Sequence, residues 1–478
     1  MSTVPVPSTP CNNEFDVVVA PFVQDTGLPF ARVLSAQAIE RAFAEQDGLF
    51  ALDDVYSAPL VLWAFLAQVL ADGKESACSA AVSRIATYLT QMGRQAPCGD
   101  TGDYCRARAK LSVAALRRLT CELSQSVEDK VKPDWLCHGL HAKLVDGFTF
   151  TMPDTVANQK MFPQNPAQTP GVGLPIARAC AIFSLATGCL WNLAYGPYCG
   201  KETGESALLR TMLDEFGPGD VAVFDRFLGS YLMLALLQGR GAEVCTRLHQ
   251  RRAVDFSRGR RLGDRDHLVT WTRPQRPDWM DPQTYARIPE TMTLREVQIE
   301  VANENSRVGT LTIVTTLLDP EKYSKSTIAE LYKDRWNVET DICVVKHPLS
   351  LDHLRCQSPH MVEREVWVTL LGYNLIRRVM AAAAEKQDKK PRQLSFTGAC
   401  QVVLASWILW STGAVRDPAR MREMMLEQIA CRVVADRPGR VEPRVIKRRR
   451  QRYPLMQRPR AQLREELRNR QMYANIRT

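Results

Sequence analysis

Three things are scarce in this 478-residue chain. It has no Cys-x-x-Cys pair. Its 14 cysteines stand singly, which leaves no zinc ribbon or thioredoxin-type motif, and a chain this long is no small disulfide scaffold. The cysteines read as reduced, mostly buried thiols. No apolar run has the length and flanks of a membrane span. The longest charge-free stretch, residues 396–415, contains Gln401, Ser406, Ser411 and Thr412 and reads as a buried helix. Residues 178–194 are broken by Gly188 and Asn192 and read as buried strands. Residues 1–18 are rich in proline and serine with no apolar core, so no secretory signal is expected, and a cytoplasmic protein without a membrane partner is. Gly171-Val-Gly173 is no phosphate loop, because no Lys-Ser/Thr comes after it.

What the chain does have is an uneven charge. It carries 62 Lys+Arg against 52 Asp+Glu, a net +10. Residues 437–470 hold 13 basic and 3 acidic side chains, and the remainder balances at 49 of each. The body is therefore neutral and the tail is the electrostatic footprint, which suits a polyanionic partner. The run Lys447-Arg-Arg-Arg-Gln-Arg452 reads as a phosphate-binding tail.

Periodicity divides the chain. Residues 1–50 read as a loose lead-in. Residues 51–135 are helical: an apolar helix from Pro59 stopped at Asp72-Gly73, a second with Val82, Ile85, Leu89 and Met92 on one face, and a third opened by Ser112. This bundle reads either as a DNA-binding domain or as a helical cap on the next domain. Residues 136–385 alternate strands and helices, the mark of an α/β core. Strands are expected at residues 144–152, across 182–195 in one or two pieces, at 221–225 and at 244–248, with helices at 231–237 and from Val362 to about Glu385. A β-rich insertion at about 247–322 ends in a hairpin, and Thr327 with Glu330 forms a capping box for the next helix. A helical segment, 386–435, and the basic tail, 436–478, complete the chain.

The most informative segment is residues 331–346. Tyr332, Arg335, Glu339 and Lys346 are spaced 3, 4 and 7 apart. On one continuous helix they fall within roughly 60° of each other, a row of hydroxyl, guanidinium, carboxylate and ammonium. Such a face could pass a phosphate chain over a metal-holding carboxylate, with Arg335 and Lys346 gripping phosphates. On periodicity alone, a solvated stripe of ion pairs is the plainer reading. Asp334 and Asp341 point away from the stripe and read as surface residues. Asp154 reads as a turn residue before Thr155 or as an auxiliary acid. Cys137, His138 and His141 have no partner cluster and read as structural.

Taken whole, Y-x2-R-x3-E-x6-K resembles the signature of bacterial insertion-sequence transposases of the insertion sequence 4 family, DDE enzymes with a ribonuclease-H-like core. Asp146-Gly147, with Met152-Pro-Asp-Thr155 after it, resembles the family's first aspartate segment, and Gly219-Asp-Val-Ala-Val-Phe-Asp225-Arg226 its second. The resemblance spans about residues 55–385. Two departures stand out. Phe148 comes after Asp146-Gly147 where a small hydroxyl residue is frequent, and Phe227 after Asp225-Arg226 where glycine is common.

The resemblance implies a ribonuclease-H-like mixed sheet with flanking helices, an N-terminal helical domain and the β-rich insertion between the second Asp and the Glu. It implies that Asp146, Asp225 and Glu339 are the catalytic carboxylates and hold Mg2+, which Mn2+ can replace. Three carboxylates suit an ion that prefers oxygen ligands and keeps waters. It implies double-stranded DNA as partner, both the element's terminal inverted repeats and the target, a homodimer in the synaptic complex, and cut-and-paste transposition. Tyr332, Arg335, Lys346, Trp271 and Trp336 are then expected to contact DNA, the tryptophans by stacking on a displaced base, with ordinary packing as the alternative for each. The nine arginines of residues 247–276 read as a contact to the DNA backbone or as a solvated loop. Two other functions stay open on the sequence: a catalytically inactive DNA-binding remnant with the same fold, and a general structure-specific nuclease.

Overall fold

Strand β1 (His141–Thr151) alternates Leu144, Phe148 and Phe150 toward one face and Val145 toward the other, so both faces of the sheet around it are covered. The computed structural model describes residues 55–91, 93–300, 309–411, 416–434 and 455–475. The expected lead-in and the Lys447–Arg452 run lie outside these.

Four helices precede β1: α1 (Ala58–Leu70), α2 (Cys78–Gln91), α3 (Gly102–Ala109) and α4 (Val113–Glu128). α1 is apolar all round because it is enclosed all round, by α2, α3 and later helices. The N-cap of α4 is Ser112, as expected, its hydroxyl accepting from the Ala115 N–H. α3 has weak apolar periodicity and was not legible in the sequence. After β1 come α5 (Val156–Met161), β2 (Ile176–Ser184), β3 (Leu190–Pro197), α6 (Glu205–Arg210), β4 (Asp220–Phe224), α7 (Tyr231–Gln238) and β5 (Glu243–Arg247).

The meander β1-β2-β3 is antiparallel, while β4 pairs parallel with β1 and β5 parallel with β4. The order 3-2-1-4-5 with this sense is the ribonuclease-H-like arrangement. The β-rich insertion does not stand apart from it. β6 (Arg260–Gly263), β7 (Asp266–Thr272), β8 (Thr291–Glu300) and β9 (Thr310–Thr315), with the short α8 (Pro282–Arg287) between β7 and β8, extend the same sheet to nine strands. β9 pairs antiparallel with β5, Thr246 opposite Val314, which covers an edge that β5 would otherwise leave open.

The helix expected from Thr327 differs in two ways. It starts at Lys325, capped by Ser324, whose hydroxyl accepts from the Thr327 N–H, so Thr327 and Glu330 are not its capping box. It also ends at Lys333. α9 (Lys325–Lys333) and α10 (Trp336–Lys346) are separate helices, joined by a tight turn in which the Val338 N–H donates to Arg335 O and the Asn337 side chain donates to the Asp334 carbonyl.

α11 (Pro359–Lys386) runs through the core against α1 and α4 and beside α12 (Phe396–Ser411) and α13 (Pro418–Cys431). Buried Asn374 fastens it: its amide donates to the Leu190 and Thr120 carbonyls and its oxygen accepts from the Leu190 N–H. One apolar cluster extends from Tyr56 to Ala430, uniting the N-terminal helices with one face of the sheet. α14 (Arg460–Asn475) carries the end of the chain. No helix among the described residues is long and apolar enough to cross a membrane. Every described cysteine is free, but only Cys180, Cys189, Cys245 and Cys356 are fully buried, fewer than expected.

Candidate functional site

Parallel pairing sets Val145 opposite Phe224. The next residues in step are Asp146 and Asp225, on neighbouring strands about 4.8 Å apart and on the same face. Asp225 lies just past the carboxyl end of β4, its Oδ1 accepting from the Phe227 N–H and its carbonyl from the Thr246 hydroxyl.

α10 packs across β1 on that face. Arg335, in the turn before α10, is only 9% exposed, and its guanidinium lies 3.6 Å from Asp146 Oδ2 and 3.1 Å from Glu339 Oε1. One cation thus joins two of the three expected carboxylates, and the sheet register brings in the third. Arg335 was expected to grip phosphates; here its charge is taken by carboxylates. Tyr332 is also buried, and burial pushes its hydroxyl up to about 12. Lys346 is not in this cluster. It pairs with Asp352 at 3.0 Å, and Asp352 binds Thr151, five residues along β1 from Asp146, roughly 16 Å away at strand rise. The four-residue stripe is therefore divided by the break at residues 334–335.

Burial is the main reason the Asp146 carboxyl is pushed up to about 6; the Gly147 N–H and Arg335 oppose it, and the charges of Asp225 and Glu205 add to it. Glu205 is a carboxylate that no sequence pattern singles out. It opens α6 on the other face of the sheet, against Gly147. Its own carboxyl is raised by burial and by Asp225 and lowered by Arg178.

The donors are hard oxygens; burial and neighbouring negative charge raise the Asp146 carboxyl, and a guanidinium already spans Asp146 and Glu339. That chemistry fits a divalent cation. As the side chains stand, with Arg335 between them, no group of three or more His, Cys, Asp or Glu among the described residues is close enough to hold an ion.

The remaining expected residues separate. Trp271 is 6% exposed, donates to Glu296 Oε1 at 3.0 Å and lies under Arg252, so it is a packing residue and not a stacking platform. Trp336 is 60% exposed, beside Arg335. Phe227, equally exposed, stands two residues after Asp225. Asp341, expected at the surface, is fully buried between Arg377 and Arg392. Asp334 is exposed, as expected. Asp154 accepts from Gln159 before the Thr155-capped α5, a turn role. His141 pairs with Glu128 at 2.8 Å, as a structural residue would. Arg258, Arg260 and Arg261 are exposed at the β6 edge.

Residues 141–375 match the family described as transposase DDE domain. The transposase InsG of insertion sequence element IS4 from Escherichia coli (strain K12) is 28% identical over 363 residues, covering 73% of this chain and 77% of that relative. Among solved structures, a piggyBac transposase synaptic complex with hairpin DNA aligns over 90% of this chain and 88% of its own, with a TM-score of 0.42 and 10% identity.

Proposed function

The chain belongs to the insertion sequence 4 family of DDE transposases, and from that premise we propose that it binds the terminal inverted repeats of its element, cleaves the DNA at the element ends and joins the freed 3′-hydroxyl to target DNA. The family acts on DNA and generally uses divalent metal ions. What supports the proposal is the strand register that sets Asp146 and Asp225 side by side, together with the Arg335 guanidinium that lies between Asp146 and Glu339.

In this reading Asp146, Asp225 and Glu339 hold Mg2+, or Mn2+ in its place. When bound, the ions supply Lewis acidity at the scissile phosphate. The protein's own part is placement. β1 and β4 fix two carboxylates on a rigid sheet, α10 brings the third, and Arg335 keeps Glu339 facing Asp146 until a cation arrives. Hydrolysis and strand transfer are both in-line attacks at phosphorus that differ only in the attacking oxygen, water or the 3′-hydroxyl. One carboxylate set therefore serves both steps, which is the chemical basis of cut-and-paste. Trp336 offers a face to an unstacked base near the scissile bond, and the exposed arginines of β6 contact the backbone. Two ends must be held together for insertion, so a homodimer on DNA is part of the proposal.

The test is Glu339→Gln on DNA carrying the element ends. It keeps the side chain's size and removes its charge. Mg2+-dependent nicking should be abolished while end binding, read by gel shift, persists. Undiminished nicking by this variant overturns the assignment.

A further inference from the structure

Cys78 opens α2 and Cys105 lies in α3, two helices that pack on α1 and on each other. The two side chains face one another. Their Sγ atoms are 3.9 Å apart, close enough for one thiol to donate to the other, although 27 positions separate them along the chain. Both residues are half-buried, and both line a cavity of about 330 Å³ between the N-terminal helices and the start of α11, so a small reagent can reach them.

One guanidinium holds the pair. Arg108 Nη2 donates to Cys78 Sγ at 3.4 Å and to Cys105 Sγ at 3.5 Å, and the Gln68 amide donates to Cys78 Sγ at 3.6 Å. Arg108 is only 7% exposed and lies over the Phe65 and Tyr104 rings. Burial works against its charge, and the groups that favour the charge are Tyr104, Cys356, Cys78 and Cys105, none of them a carboxylate. A cation taken from water is costly unless an anion offsets the loss, and a thiolate is an anion that these neighbours can form.

We propose that Cys78 and Cys105 form a modification site, a dithiol that small disulfides of the glutathione class oxidise to a disulfide tying α2 to α3. It is independent of the function proposed above. The Cys78 thiolate attacks one sulfur of the small disulfide, whose S–S bond breaks. One half stays on Cys78 as a mixed disulfide, and the other leaves as a thiolate that takes up a proton. The Cys105 thiolate then attacks Cys78 Sγ and expels the second half in the same way. Two protein thiols are oxidised to one S–S bond, one small disulfide is reduced to two thiols, and the two protein protons end on the released thiols. The Sγ atoms close from 3.9 Å to about 2.0 Å, a change within reach of rotation about the two Cα–Cβ bonds. Burial raises the Cys78 thiol, which slows the first attack, and Arg108 is the strongest influence against that rise.

The full-length Cys98→Ala chain, incubated with oxidised glutathione and digested with trypsin in the absence of reductant, tests this by mass spectrometry. Cys98 is removed because it shares the tryptic peptide 95–106 with Cys105. Peptide 75–84, which holds Cys78, should appear linked to peptide 95–106. The Tm of the oxidised chain should rise by a few degrees, because the link restricts the unfolded chain, and should return with dithiothreitol. Cys105→Ala should give no link, hold glutathione on Cys78 and show no rise in Tm. Arg108→Met should slow closure severalfold, and closure at the wild-type rate overturns the part given to Arg108. Oxidised glutathione that modifies the exposed Cys199 and leaves Cys78 and Cys105 as free thiols overturns the proposal. So does a link from Cys78 to Cys356, found in peptide 356–364, or a link that lowers Tm, which marks closure in the unfolded chain.

Discussion

Asp146 bears the main electrostatic conflict of the site. Burial pushes its carboxyl to about 6, above its ordinary 3.8, and Asp225 and Glu205 add to the push. A folded-state value above the unfolded one means that the neutral acid is the form the fold prefers. The stability this gives is full at low pH and is lost as pH rises from about 4 through 6. Asp146→Asn should therefore melt higher than wild type in the absence of metal at pH 7.5, by a few degrees, and equal to it at pH 4; thermal melts at the two pH values decide. Cation binding needs the anion, so Mn2+ affinity should fall as pH drops below about 6. Phe227 and Trp336 are the exposed aromatics next to the carboxylates. Stacking an unpaired base contributes about 1–3 kcal/mol, so alanine at either position should weaken binding to element-end DNA by roughly tenfold, read by fluorescence anisotropy. Trp271→Ala should instead lower Tm, since that ring is core. Normal stability and weak DNA binding in the Trp271 variant would reverse the assignment.

Among the elements, α10 has two duties. One side presents Glu339 toward β1, and the other buries Asp341, whose two oxygens take Arg377 at 2.6 Å and Arg392 at 2.7 Å. Asp341→Ala leaves two guanidinium groups without their anion in the core, which costs about 3–5 kcal/mol, so the variant should lose several degrees of Tm or fail to accumulate as soluble protein. An unchanged Tm would mean that water or another acid takes over. The sequence displayed what is local. β1 and β4 were legible because alternation and short apolar runs are written in consecutive residues, and α11 because its apolar pattern is long. The Asp-Gly and Asp-Arg segments and the Y-R-E-K spacing likewise marked Asp146, Asp225 and Glu339 as candidates, of which the fold sets the first two in step on neighbouring strands and links the first to the third through Arg335. Asp341 was misjudged because helical phase tells which residues lie opposite Glu339, and not that the opposite side meets α11 and its arginines. The break at residues 334–335 was hidden because no proline or glycine marks it in the sequence. The pairing of β5 with β9 and the approach of Glu205 to Gly147 are also long-range, and no pattern around Glu205 marks it.

At the scale of the whole molecule, the apolar core and the excess charge occupy different parts of the chain. Among the described residues the core cluster runs as far as Ala430, with the Leu394–Val433 bridge and the Val434 N–H to Gln393 contact just after it. Beyond this point, residues 435–478 hold 14 basic and 4 acidic side chains, so the whole net +10 of the chain resides there. In the function proposed, the body recognises DNA by shape and by exposed arginines such as Arg260 and Arg261. The tail adds attraction to any phosphate chain. A chain ending at residue 434 should therefore keep its fold and Tm, and should nick element ends normally once bound. Its affinity for DNA without element ends should drop sharply at about 50 mM salt and only slightly at about 200 mM. The slope of log affinity against log salt should flatten by about 0.9 for each phosphate contact the tail supplied. Anisotropy titrations of both chains across that salt range measure the difference. Parallel slopes would mean that the tail touches no phosphate, and that the exposed arginines of the body carry the non-specific attraction alone.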